Sequence, residues 1–247
     1  MKATKQLALG AIVIMLGSGM LKAQSNVFAR LDATNMLRDI LLAPGQIGKM
    51  PKEDQIKKLL ITPGLMEESN VVSLLIGWAS TKSDQANRMQ QHLADSSTIV
   101  LGEFPSEAAR PTLLAIANGT NDGSRMCALA SLVKSSPGFD LDKSLHGVWF
   151  SSLGGRERRT IYEVYISKAE AMTNKVENIQ QFVDVMERLF ENHSNRGDGF
   201  FLDRYLTKNI PSHRMKPSRQ KWLKSLKESL AEDVRKYAEQ ELIKNIE

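Results

Sequence analysis

The sequence predicts an all-α protein built from antiparallel helical hairpins. Three observations carry this. Apolar residues recur at helical spacing along most of the chain, and the breaks between such stretches fall on Pro-Gly, Asn-Gly and Gly-Gly pairs. Aromatic residues make up only 6%, while Leu, Ala, Lys and Glu are among the commonest residues. Straight-chain side chains of that kind lose little rotamer freedom in a helix.

The first 23 residues stand apart. Lys2 and Lys5 form a basic head, Leu7 to Leu16 an apolar run, and Gly17-Ser18-Gly19 through Ala23 a small-residue end. That order is the order of a secretory signal peptide. The apolar run is shorter than the roughly 20 residues that span a bilayer, and no Cys follows it to carry a lipid. We therefore expect an exported protein, periplasmic or secreted, cleaved near Ala23. Cleavage after Gly19 and retention as an N-terminal anchor are the alternatives. Residues 24–247 remain, enough for a single helical domain with its own core. The expected division is hairpins over 24–210 and a basic amphipathic helix over 211–247.

Taken in order, Asn26 to Ala43 places Val27, Leu31, Leu37, Ile40 and Leu41 near helical spacing, and Pro44-Gly45 ends it. Pro51 opens a second helix that stops at Pro63-Gly64. Val71 to Ala79 is apolar nearly all round, the mark of a helix buried between neighbours. Ser83-Asp84 can cap the next helix, ending near Ala94. The β-branched run in Ser97 to Phe104 fits a strand or an extended connector. Ser106 to Ala117 and Arg125 to Val133 form a tight hairpin. Asn118-Gly119 suits a left-handed helix end, and Thr120, Asn121 and Asp122 offer capping oxygens. Leu145 to Phe150 can be strand or helix. Arg156 to Met172, Val176 to Phe190 and a short aromatic helix from Phe200 to Leu206 follow. Ser218 to Ile246 is expected as the longest helix, with Trp222, Leu223, Leu226, Leu230, Val234, Tyr237, Ala238 and Leu242 on one side.

Pro111 before an aliphatic run, then Asp122, Arg125 and Ala128 in the second helix, resemble one HEAT-type helical repeat over about 30 residues. The resemblance implies that Pro111 bends its helix, that Ala128 lets paired helices approach, and that Asp122 and Arg125 bridge to a neighbouring unit. Candidate hairpins start near Asn70, Ser106 and Asp142, at offsets of 36 and 36. A short HEAT-like solenoid and an irregular helical bundle both fit.

The chemistry-bearing residues form no motif. One cysteine, Cys127, excludes an internal disulfide and sits in an apolar helical run as a small hydrophobe. His92, His146, His193 and His213 have no metal-ligand spacing and default to the surface. Ser131–Lys134 and Ser218–Lys221 place a hydroxyl and an amine one turn apart, but the companion elements of serine acyl-enzymes are absent. Asn118 to Gly123 fails as a calcium loop because Leu129 stands where a bidentate Glu is needed. No cofactor motif occurs. An enzyme assembled from scattered groups such as His146, Arg156 and Glu163 stays open as an alternative.

Charge gives one surface signal. The chain carries +5, but Lys2, Lys5 and Lys22 of the leader leave 30 basic against 28 acidic residues, a net +2. The pI of about 9.2 is therefore no argument for nucleic acid. Between Arg204 and Lys227, eight basic residues occur with no acid. Lys208, Arg214, Lys216, Arg219, Lys221, Trp222 and Lys224 are the candidates for holding an anionic membrane surface or a polyanion, with Trp222 at the interface. The expected function is that of an exported, non-catalytic helical module that binds or scaffolds another protein. Membrane-surface association through the basic helix is the second reading.

Overall fold

The computed structural model describes residues 33–43, 68–81, 87–104, 107–149, 152–173, 179–194 and 199–244. The expected leader, the helix after Pro51 and the capping residues Ser83, Asp84 and Ser106 lie outside them. All regular structure among the described residues is helical. The chain divides into two compact units, one ending at Ser131 and one beginning at Leu132.

In the first unit, residues 33–42 form α1, with Ala33, Leu37 and Leu41 fully buried at four-residue spacing. The helix α2 (Glu68–Ala79) buries Val71, Val72, Leu75 and Ala79 and packs along α3 (Arg88–Leu101). A capping box starts α3. Asn87 Oδ1 accepts from Gln90 N at 2.9 Å, and Gln90 Oε1 accepts from Asn87 N at 3.0 Å. The helix then runs through the stretch expected to be strand or connector. Ser97 Oγ donates to Leu93 O (2.7 Å) and Thr98 Oγ1 to Ala94 O (2.8 Å). Hydroxyls that compete with helix elsewhere are satisfied inside this one, and Val100 and Leu101 enter the core.

Pro111 lies in the first turn of α4 (Arg110–Ala117), where a missing N–H is harmless, so it starts this helix instead of bending it. The helix ends at Asn118, but Gly119 does not turn left-handed. Among the described residues only Gly138 and Gly147 have positive φ. Asn121 Oδ1 accepts from Ser124 N at the start of α5 (Asp122–Ser135). Arg125 Nε donates to Ala117 O and ties the hairpin. The helices α3 and α5 run side by side in the same direction: Gln91 Nε2 meets Ser124 Oγ at 3.1 Å, and Ser131 Oγ meets Thr98 O at 2.7 Å, each pair 33 residues apart.

In the second unit, α5 ends before Pro137, and Gly138 takes φ +70. A one-turn α6 (Leu141–Ser144) is capped by Asp140, and residues 145–149 form a turn, not a strand. Glu157 Oε2 accepts from Gly154 N, so the glycine pair starts α7 (Gly155–Thr173). Lys168 Nζ donates to the carbonyls of Val133 and Ser136 at the C-terminal end of α5, where a cation is favoured. Burial holds Lys168 below its ordinary pKa. Burial pushes the Tyr165 hydroxyl, which donates to Phe139 O at 2.7 Å, up to about 12. The helix α8 (Ile179–His193) packs on α7 and buries Val185, Met186, Leu189 and Phe190. After it come α9 (Gly199–Asn209), a 3-10 helix over Pro211–Met215, α10 (Pro217–Leu226) and α11 (Glu232–Ile243).

The single long helix expected over 218–246 is broken at 227–231. Ser229 Oγ accepts from Ala231 N, and Arg235 Nη1 donates to Ser229 O (2.7 Å) and Leu230 O (2.9 Å). Leu230, expected on the apolar side, is 99% exposed at the bend. The reason for the break lies in tertiary contacts. Arg219 bonds Glu241, 22 residues on. A straight helix would hold the two about 33 Å apart.

Candidate functional site

Of the residues expected to form an anionic-surface site, Lys208, Arg214, Lys221 and Lys224 are exposed and Lys216 is half-buried. Met215 stands exposed between Arg214 and Lys216. Two members are corrected. Trp222 is only 6% exposed, packed edge-on against Phe190 (5.4 Å) and Phe200 (5.7 Å). Arg219 is 0% exposed and faces carboxylates, not solvent. Helical spacing explains both: positions 219, 222 and 223 form the buried stripe of α10, and Lys221 and Lys224 point away from it.

Arg219 belongs to a network of six side chains, with Lys244 attached at its exposed edge. Asp203 of α9 is its hub and is 0% exposed. Its Oδ1 accepts from Arg219 Nε (2.6 Å) and lies 3.2 Å from His213 Nε2. Its Oδ2 accepts from Arg219 Nη2 (3.0 Å) and the Tyr237 hydroxyl (2.6 Å). Arg219 Nη2 also donates to Glu241 Oε2 at 2.6 Å, and Glu241 Oε1 accepts from Lys244. His213 Nδ1 lies 3.0 Å from Glu187 Oε2 of α8. Each ring nitrogen thus faces a carboxylate oxygen. An ionised carboxylate only accepts, so two ionised partners call for protons on both nitrogens, which favours the imidazolium form of His213. The surface expectation for His213 is therefore corrected, as is that for His193, which is 2% exposed with its ring 5.9 Å from that of Tyr162.

Burial opposes the charge on Asp203, His213, Arg219 and Glu241, and the pairing outweighs it. Hydrogen bonds from His213, Arg219 and Tyr237, with the Arg219 charge, hold the Asp203 carboxyl below its usual range. Lys244 and Arg219 do the same for Glu241. Asp203 and Glu187 raise His213 above its ordinary value. The linkage has two signs. The His213 contribution is full below its unfolded value of 6.5 and is lost as pH rises through the raised folded value. The Asp203 and Glu241 contributions are full above 3.8 and 4.5 and are lost as pH falls through the depressed folded values. Thermal unfolding of the full chain, followed from acid to alkaline pH, is expected to show a stability maximum between these limits. His213→Gln is expected to remove the alkaline fall and leave the acid one.

Sequence reasoning missed this network, although one signal existed. Leu202, Asp203 and Leu206 share the buried face of α9, and an acid on an apolar stripe requires a buried cation. The network is closed: Asp203, His213 and Arg219 present no surface to a substrate. The alternative enzyme residues His146, Arg156 and Glu163 are all exposed, and Glu163 pairs with Arg159 at 2.9 Å.

An open groove of about 600 Å³ lies in the first unit, between α2, α3, α4 and α5. Its walls are small or neutral side chains, among them Ala94, Thr98, Thr112, Ala115 and Ile116, and Asp95 is the one charged group among the described lining residues. Asp95 Oδ1 accepts from Ser124 Oγ (2.7 Å) and Gln91 Nε2 (3.0 Å), which fixes the carboxylate at the wall. Behind it, Cys127 is half-buried. Burial first, and then the Asp95 charge, push its thiol up to about 11, so it stays protonated and unreactive at neutral pH. Comparison of the chain with protein-family models, with curated proteins and with solved structures returns no match.

Proposed function

We propose that the chain is an exported, non-catalytic helical protein whose first unit holds a segment of another protein in the groove between α2, α3, α4 and α5. The groove carries this reading. It is open, large enough for several residues of an extended peptide, and lined by short side chains that leave backbone-sized room. Two observations support it. The parallel course of α3 and α5, with bonded pairs 33 residues apart, is the course of successive units in a helical repeat array, which uses such faces for binding. The titratable groups that do converge, around Asp203, are sealed inside the second unit. Export rests on the basic, apolar and small-residue order of the first 23 residues.

The test is affinity capture from the envelope fraction with C-terminally tagged protein, wild type against the double variant Thr112→Gln/Ala115→Gln. Both positions lie on α4 and line the groove, and Gln is a good helix former. Capture of a protein by the wild type and its loss in the variant is the expected result; identical captures would end the reading. Membrane-surface association ranks below it, since Arg219 and Trp222 are withdrawn from the basic face.

A further inference from the structure

We infer that the groove selects a cationic side chain, and that its occupant is an extended peptide segment presenting a lysine or arginine to Asp95. The inference rests on the groove reading above and deepens it. Three features of the site point to a cation. Asp95 is the sole charge among the described lining residues, none of which is basic. Both hydrogen bonds it accepts fall on Oδ1, from Gln91 and Ser124, and Gln91 Nε2 also donates to Ser124 Oγ. The carboxylate is thereby clamped in one orientation by donors from α3 and α5, and Oδ2 keeps its accepting capacity. The remaining described walls offer hydroxyl, amide and apolar groups: Ser80, Thr81, Thr112 and Asn121 can take up backbone amides, and Ala115 leaves space for an aliphatic stem. A lysine or arginine side chain has that shape, an apolar stem ending in a charged donor. An acidic segment would meet uncompensated repulsion, which is how a site discriminates as well as attracts.

A phage-displayed random heptapeptide library panned on the full chain tests this. Clones are sorted by whether Thr112→Gln/Ala115→Gln abolishes their binding, and the dissociation constants of synthetic copies of the sensitive clones are measured on wild type and on Asp95→Asn. Groove-dependent clones are expected to share a Lys or Arg, and Asp95→Asn to weaken them about tenfold or more. Changing that Lys or Arg to Gln is expected to weaken wild-type binding by the same factor and to make Asp95→Asn neutral, which a purely structural role for Asp95 would not do. Groove-dependent clones without a basic residue, or indifferent to Asp95→Asn, overturn the cation inference and leave the groove reading standing. A library that yields no groove-dependent clone overturns both. Unchanged thermal unfolding of Asp95→Asn confirms that the variant is folded.

Discussion

Arg219→Met is expected to destabilise the second unit by about 3–5 kcal/mol, the usual effect of removing one partner from a buried ion pair. The side chain is 0% exposed and holds both oxygens of Asp203 and one of Glu241. Met approximates its volume but leaves Asp203, in a place water does not reach, with fewer donors than it needs. Arg219→Lys is not expected to rescue it, because an ammonium cannot reproduce the two-pronged grip on Asp203. Lys221→Met, two positions along the same helix and exposed, is expected to stay within about 0.5 kcal/mol of wild type. Urea unfolding of the three variants distinguishes these outcomes. An Arg219→Met protein as stable as wild type would mean that the network does not hold the unit together.

The second large effect is expected at Gly199. A Cβ there would lie 2.1 Å from Ser194 O, 3.0 Å from Ser194 C and 2.9 Å from Trp222 Cζ2. Two of these atoms are backbone and the third belongs to a packed ring, so none yields cheaply. Gly199→Ala is expected to destabilise the chain by about 3 kcal/mol, at the upper end for overpacking. Gly77→Ala is the control. Gly77 is exposed within α2 with nothing near its missing Cβ, so the same change there is expected to stabilise by about 0.5–1 kcal/mol through reduced backbone freedom. Denaturant midpoints that move in the same direction for both would contradict this account.

The helical class was legible because it depends on spacing and punctuation, which are local. Val71 to Ala79 marks α2 by its apolar run, although Leu74, Ile76 and Trp78 are only half-buried, and Asn118 to Asp122 marks the joint between α4 and α5. The boundaries that went wrong were set by hydrogen bonds that residue spacing does not reveal. Ser97 and Thr98 favour extended chain until their hydroxyls find carbonyls one turn back. The break at 227–231 contains neither Pro nor Gly and is fixed by Arg235 and by contacts around Arg219. The network stayed hidden for a related reason. His213 sits between Pro211 and Pro217 in what resembles a basic connector, and Arg219 is one of eight bases in a run, so each looked solvated until Asp203 was placed beside both. The groove had no signature because its walls come from four helices, each contributing a few small residues of no individual distinction.

The order in which the network's members occur along the chain has a consequence for biogenesis. Glu187, Asp203, His213 and Arg219 emerge first, and Tyr237 and Glu241 last. A nascent polypeptide halted before Tyr237 holds Asp203 and Arg219 without two of their hydrogen-bond partners, Tyr237 and Glu241, so the second unit stays pliable until α11 arrives.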